Sequence, residues 1–115
     1  DGLTSPVTVD RLTTLGDQLQ VNWDTASCPA VDYNLIYGDL ANVGSYALSG
    51  SQCALGTSGT LNWSGVPVGD LYFLLVGTDG SGTEGPWGQG VGERNGFAAS
   101  GQCGVSSKDV SNTCP

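Results

Sequence analysis

The sequence has 115 residues, with no histidine, no methionine and only three basic residues, Arg11, Arg94 and Lys108. Without histidine, neither a Ser-His-Asp nor a Cys-His arrangement can be assembled. No CxxC pair is present and no histidine can complete a zinc site. Ser-Lys chemistry would depend on Lys108, the one lysine, beside Asp109 in a polar tail. A paired-carboxylate hydrolase needs two facing acids, whereas Asp24, Asp32 and Asp70 fall at the ends of strand-like runs, where turns favour aspartate. The sequence therefore reads as that of a non-enzyme that needs no cofactor. Eleven acidic residues leave a net charge of −8. Nucleic acids and anionic membrane surfaces both require basic patches, so neither is an expected partner. No apolar run approaches the roughly 18 residues needed to cross a bilayer, and no membrane insertion is expected.

Four cysteines, Cys28, Cys53, Cys103 and Cys114, are present instead. In a short chain without a metal-binding spacing they read as two disulfides, which implies an oxidising compartment. The expected location is extracellular or at a cell surface, for a mature product whose export signal has been removed. Of the three possible pairings, Cys28–Cys53 with Cys103–Cys114 ties down a long middle loop and closes the tail on itself. Charged residues make up only 12% of the chain, about half the ~25% usual in soluble domains. Gly, Ser and Thr are abundant. Small polar side chains suit turns, and they lose little entropy when a surface is buried against a partner.

Nineteen glycines and five prolines leave no room for long helices. Short alternating runs separated by turn residues predict strands. The runs are Val7 to Leu12, Gln18 to Asp24, Asp32 to Tyr37, Thr60 to Trp63 and Leu71 to Val76, with a short edge strand between Leu40 and Leu48 and a last strand between Gly90 and Ala99. In the second run Leu19, Val21 and Trp23 share one face, which marks a half-buried strand. The run Leu71 to Val76 is apolar at every position, as in a strand covered on both faces. Residues 79–86 carry three glycines and a proline and form a loop.

The runs Leu19-x-Val21-x-Trp23 and Tyr33-x-Leu35-x-Tyr37 resemble the B and C strands of a fibronectin type III domain. Val66-Pro67-x-Gly69-x-x-Tyr72-x-Leu74-x-Val76 is similar to the E–F corner and F strand of that family. The resemblance covers residues 5 to 99. It implies an all-β, immunoglobulin-like, two-sheet antiparallel sandwich of about seven strands, with residues 1–99 as the domain and 100–115 as a cysteine-containing tail packed on it. It also implies that Tyr72 is a corner tyrosine whose hydroxyl bonds to the backbone a few residues upstream. Trp23, Tyr33, Leu35, Tyr72, Leu74 and Val76 are the expected core. The chain departs from the common pattern in its cysteines and in the long segment between Tyr37 and Thr60. In its cysteines it is similar to domains at the ends of large secreted bacterial proteins, so a bacterial source is expected.

Three features bear on function. Trp87 lies in a glycine-flanked loop, either as a contact anchor or folded over the open end of the sandwich, and Trp63 is a second candidate contact residue. Asp79, Ser81 and Glu84 place oxygens around glycines as a calcium loop does, although the same residues suit a plain turn. Asn62-Trp63-Ser64 matches the N-glycosylation acceptor pattern. The expected function is that of a non-catalytic extracellular structural or adhesion module acting through protein or carbohydrate contacts, as a free-standing domain or an accessory domain of a larger hydrolase. The alternative is a globular subunit of an extracellular filament or pilus-like assembly, in which self-association or a partner chain covers exposed edges.

Overall fold

The computed structural model of the chain describes residues 7–26, 29–87 and 93–111. Among the described residues eight strands form two sheets, and the one helical element is a 3-10 helix at Leu40–Ser45. The strands are β1 (Thr8–Arg11), β2 (Gln18–Asn22), β3 (Asp32–Asp39), β4 (Gly50–Gln52), β5 (Thr60–Ser64), β6 (Leu71–Thr78), β7 (Thr83–Glu84) and β8 (Ser107–Lys108). One sheet has the order β1-β2-β5 and the other β4-β3-β6-β7-β8. All pairings are antiparallel except β7 with β8, which is parallel.

The longest pairing joins β3 to β6, in register from Asp32↔Thr78 to Asp39↔Leu71. Side chains alternate across a strand, so this pair offers two apolar faces. Its odd-numbered side chains, Leu35, Tyr37, Leu71, Phe73 and Leu75, meet Leu19, Val21, Leu61 and Trp63 of the other sheet. Val21, Leu35 and Trp63 are at most 2% exposed, and Tyr37 packs on Trp63 with ring centroids 5.1 Å apart. Burying each such aliphatic side chain contributes about 1.5–3 kcal/mol. The even-numbered Ile36, Leu74 and Val76 face away from the first sheet and form a second cluster with Tyr46, Leu48 and Trp87. The expected core is therefore divided. Trp23, Tyr33 and Leu35 lie on the inner side, the first two with ring centroids 5.7 Å apart, while Leu74 and Val76 belong to the outer cluster.

Tyr72 is also even-numbered, and this overturns its expected role at the E–F corner. Its hydroxyl donates to the carbonyl of Ala47 at 2.6 Å, 25 positions upstream. Alternation turns the ring outward, away from the corner and towards the segment that follows the 3-10 helix. The segment 40–48 is likewise not an edge strand. Leu40 N–H donates to Asp70 O, the helix closes at Tyr46 in the left-handed region (φ 55°), and the edge strand β4 begins only at Gly50. The last strand is displaced too. Residues 88–92 lie outside the described residues, 93–99 hold turns and a single bridge residue, and the final strands are β7 and β8. The polar tail thus adds a strand to the sheet, and Val105 is 5% exposed.

The disulfide pairing is corrected as well. Cys53 bonds to Cys103, with a Cα separation of 5.6 Å, which excludes both Cys28–Cys53 and Cys103–Cys114; Cys28 and Cys114 themselves lie outside the described residues. Cys53 follows β4 and Cys103 precedes β8, the two edge strands of the five-stranded sheet. The bond joins the chain leaving one edge to the chain approaching the other, beside Asn34 and Thr78 of the sheet's outer face. Ser51 Oγ donates to Gln102 Oε1 at 3.0 Å next to it.

Two outcomes follow from this geometry. Non-reducing peptide mapping will recover a Cys53–Cys103 peptide, and the C53S/C103S variant will lose about 4 kcal/mol of stability by chemical denaturation, as expected for a closed loop of this length. Gly38→Ala will cost about 1–3 kcal/mol, because a Cβ there would lie 2.2 Å from Ala47 O and 2.9 Å from Tyr72 Cε1. An unchanged denaturation midpoint for Gly38→Ala would contradict the close packing of these two segments.

Candidate functional site

The most polar arrangement in the structure sits on the outer face of the five-stranded sheet, built from one row of the register. Thr78 is opposite Glu84, and Glu84 is opposite Lys108, so all three side chains emerge beside Ile36 and Val76. Glu84 is 2% exposed. Its Oε1 accepts from Trp87 Nε1 at 2.9 Å and from Ser100 N at 2.6 Å, and its Oε2 accepts from Ser100 Oγ at 2.8 Å.

Lys108 has a fully buried side chain. Its ammonium pairs with Glu93 Oε1 at 2.9 Å, donates to Arg94 O at 2.7 Å and lies 4.4 Å from the centroid of the Trp87 ring. Glu93 Oε1 also accepts from the Trp87 backbone N–H, and Glu93 Oε2 is buried without a partner. Tyr46 packs edge-on against Trp87 with centroids 6.0 Å apart. A buried charge needs pairing or hydrogen bonds to offset its desolvation; Lys108 is paired with Glu93, and Glu84 is held by three hydrogen bonds without a cation.

This cluster holds structure and lacks the makings of a reaction centre. Both oxygens of Glu84 are occupied, Lys108 is sealed beneath Trp87, and Ser100 Oγ donates to a carboxylate with no imidazole nearby to activate it. Its effect is to tie Glu93, Arg94, Ser100 and Lys108 to Glu84 and Trp87, the indole that covers Ile36 and Val76. The sequence pattern did not identify it. The one available signal was a lone lysine beside Asp109 in a polar tail, which alternation alone cannot place.

The expected contact and calcium residues also take other roles. Trp63 and Trp87 are 2% and 3% exposed; both fill hydrophobic clusters, so neither indole is available to a partner. Asp79 Oδ1 accepts from Ser81 N at 2.7 Å and Thr83 N at 3.1 Å, and these backbone bonds, Ser81 first, hold its carboxyl below the usual range. Glu84 turns inward, away from Asp79. Among the described residues no three acidic or cysteine side chains gather as a metal site, and the loop is a turn. Asn62 of the glycosylation pattern is exposed and accepts from Gln20 Nε2 at 3.1 Å. A shallow polar cleft lies beside the disulfide, but its Asp32 Oδ1 already accepts from Tyr33 N and Gly56 N.

The two ends of the sandwich differ. At the end formed by the β2–β3 and β6–β7 connections, Asp24, Asp32 and Asp79 accept backbone N–H groups of their own turns or a neighbouring loop. At the opposite end, the β1–β2 turn meets the β5–β6 turn through Val66 N→Asp17 O (3.0 Å), and the β5–β6 turn meets the 3-10 helix through Leu40 N→Asp70 O (2.9 Å). This end carries exposed aliphatic groups. Val68 is fully exposed, Leu15 is 87% exposed, and Leu12, Leu40 and Val43 are each more than 40% exposed. Asp39 occupies the N-cap of the 3-10 helix yet makes no side-chain cap bond, and the Asp70 carboxylate has no hydrogen bond or ion pair among the described residues. Asp70 is therefore not the turn-stabilising acid expected of it. No protein-family model, curated protein or solved structure matches this chain.

Two measurements test the buried cluster. Trp87→Ala will lose about 3–5 kcal/mol, and Glu84→Ala about 3 kcal/mol, because it strands the Trp87 and Ser100 donors; a loss below 1 kcal/mol in both would show that the cover is not anchored there. Burial, aided by the Asp24 carboxylate, raises the Tyr33 phenol above its ordinary value, and burial with the nearby Tyr46 raises that of Tyr72. The unfolded chain then ionises first as pH rises, so stability will be fully present below about pH 10 and decline above it. Tyr72→Phe will flatten that decline in alkaline denaturation series.

Proposed function

We propose that this chain is a non-catalytic extracellular contact module with a fibronectin type III-like fold, and that it works by docking a protein partner. The observation that carries this reading is the distribution of its side chains. The Glu84 carboxylate and the Lys108 ammonium are buried and held by hydrogen bonds or an ion pair around Trp87, while the exposed aliphatic side chains Leu12, Leu15, Leu40, Val43 and Val68 share one end of the sandwich. Soluble domains commonly use such exposed apolar groups for association. The family resemblance is supported by strand order: β3, β6 and β7 lie side by side as C, F and G do, and β1, β2 and β5 follow the A-B-E order of immunoglobulin-like sandwiches. The disulfide supports an oxidising environment. A protein partner is favoured over a sugar because Trp23, Trp63 and Trp87 all contribute to the interior, leaving no exposed indole to stack on a ring.

The second reading, a subunit of an extracellular filament, is supported by one observation. Strand β1 is an edge strand with all four residues exposed, and an uncovered edge can pair with another chain.

Analytical ultracentrifugation of the native protein, combined with turnover assays on peptide, ester and glycoside substrates, tests both. A stable 11.7 kDa monomer without turnover is expected. Filaments would move the assignment to the second reading, and turnover above buffer that is lost in a site variant would end the contact reading.

A further inference from the structure

We infer that the end formed by residues 12–17, 39–45 and 65–70 docks a cationic segment of a partner protein, with aliphatic residues at the centre of the contact and lysine or arginine around it. This inference rests on the contact-module reading and specifies its surface and partner chemistry.

Among the described residues the single ion pair is the buried Lys108–Glu93. Asp10, Asp17, Asp39 and Asp70 are exposed at or beside this end, and Arg11 is the one cation among them. Asp17 accepts from Thr13 Oγ1 at 2.6 Å, which accounts for it as a turn residue. The carboxylates of Asp10, Asp39 and Asp70 make no hydrogen bond and no ion pair among the described residues, so the fold supplies no use for their charge. They share this end with Leu15 and Val68, the two most exposed aliphatic side chains among the described residues.

An apolar centre with a negative margin selects its complement, because a matching positive margin steers encounter and lowers the cost of approach. A second copy of this chain brings the same negative excess to the contact and is repelled. An anionic bilayer is repelled for the same reason. The opposite end is acidic too, through Asp24, Asp32 and Asp79, but Val31 is its one strongly exposed aliphatic side chain among the described residues, so it lacks the apolar centre.

The test uses the full chain, isotope-labelled for NMR, titrated with a synthetic peptide alternating lysine and leucine. The controls are a glutamate–leucine counterpart and zwitterionic phosphatidylcholine vesicles. Saturable shift changes are expected in residues 12–17, 39–45 and 65–70, with an affinity that falls at high salt. The D39N/D70N and L15S/V68S variants will each bind about fivefold more weakly with unchanged melting temperature, since these side chains are exposed. D79N removes the same charge at the other end and will leave affinity unchanged. Equal binding of the glutamate peptide, shifts centred elsewhere, binding to vesicles in place of peptide, or full affinity in D39N/D70N would each overturn the inference. The contact-module reading falls on turnover and not on peptide binding, so the two fail separately.

Discussion

The structure depends on the pairing of β3 with β6. Strand β6 is apolar on both sides and β3 adds Ile36 to its outer face, and a sheet with two apolar faces must be covered twice. The three-stranded sheet covers the inner face through Val21 and Trp63. Among the described residues no second sheet faces the outer side, and the chain covers it with Tyr46 and Leu48 of the segment after the 3-10 helix and with Trp87. Segments with so little regular structure gain little from backbone pairing. They need attachments of another kind, which the structure provides as a covalent bond and a set of buried polar contacts.

Those attachments act at different places. The Cys53–Cys103 bond joins the chain on opposite edges of the sheet. The Glu84 carboxylate receives Trp87 and Ser100, and Lys108 receives Glu93 and the backbone of residue 94. Burying these charges costs desolvation energy that their partners largely offset. What they add is direction. Aliphatic contact alone would let the cover slide across Ile36 and Val76, whereas a carboxylate with three donors accepts one arrangement. A module that binds through its end loops gains from this rigidity, because turns mounted on a fixed sandwich lose less freedom on docking.

The strands at Gln18–Asn22, Asp32–Asp39 and Leu71–Thr78 were legible because period-two alternation and apolar runs are local properties. The division of Tyr33 and Leu35 from Leu74 and Val76 was implicit in the same alternation, yet treating them as one core ignored that a doubly apolar strand has two sides. Tyr72 was misplaced for that reason. Trp63 as a contact residue, and the anchor alternative for Trp87, arise because both sit among polar and glycine residues, while their burial comes from what folds onto them. The acids divided in the same way. Asp79 behaves as a turn residue, but Asp39 and Asp70 occupy turn-like positions without making the bonds that such positions invite.

Composition and order alone determined that this is an all-β chain without imidazole chemistry, rich in turns, acidic, and able to form disulfides. These follow from which groups exist and from alternation over five or six residues. Tertiary structure decided which cysteines meet, which tryptophans are hidden, that Glu84 is an internal anchor, and which carboxylates remain without partners. Each of those depends on segments tens of residues apart reaching the same face or the same end of the sandwich, and no short-range pattern encodes that approach.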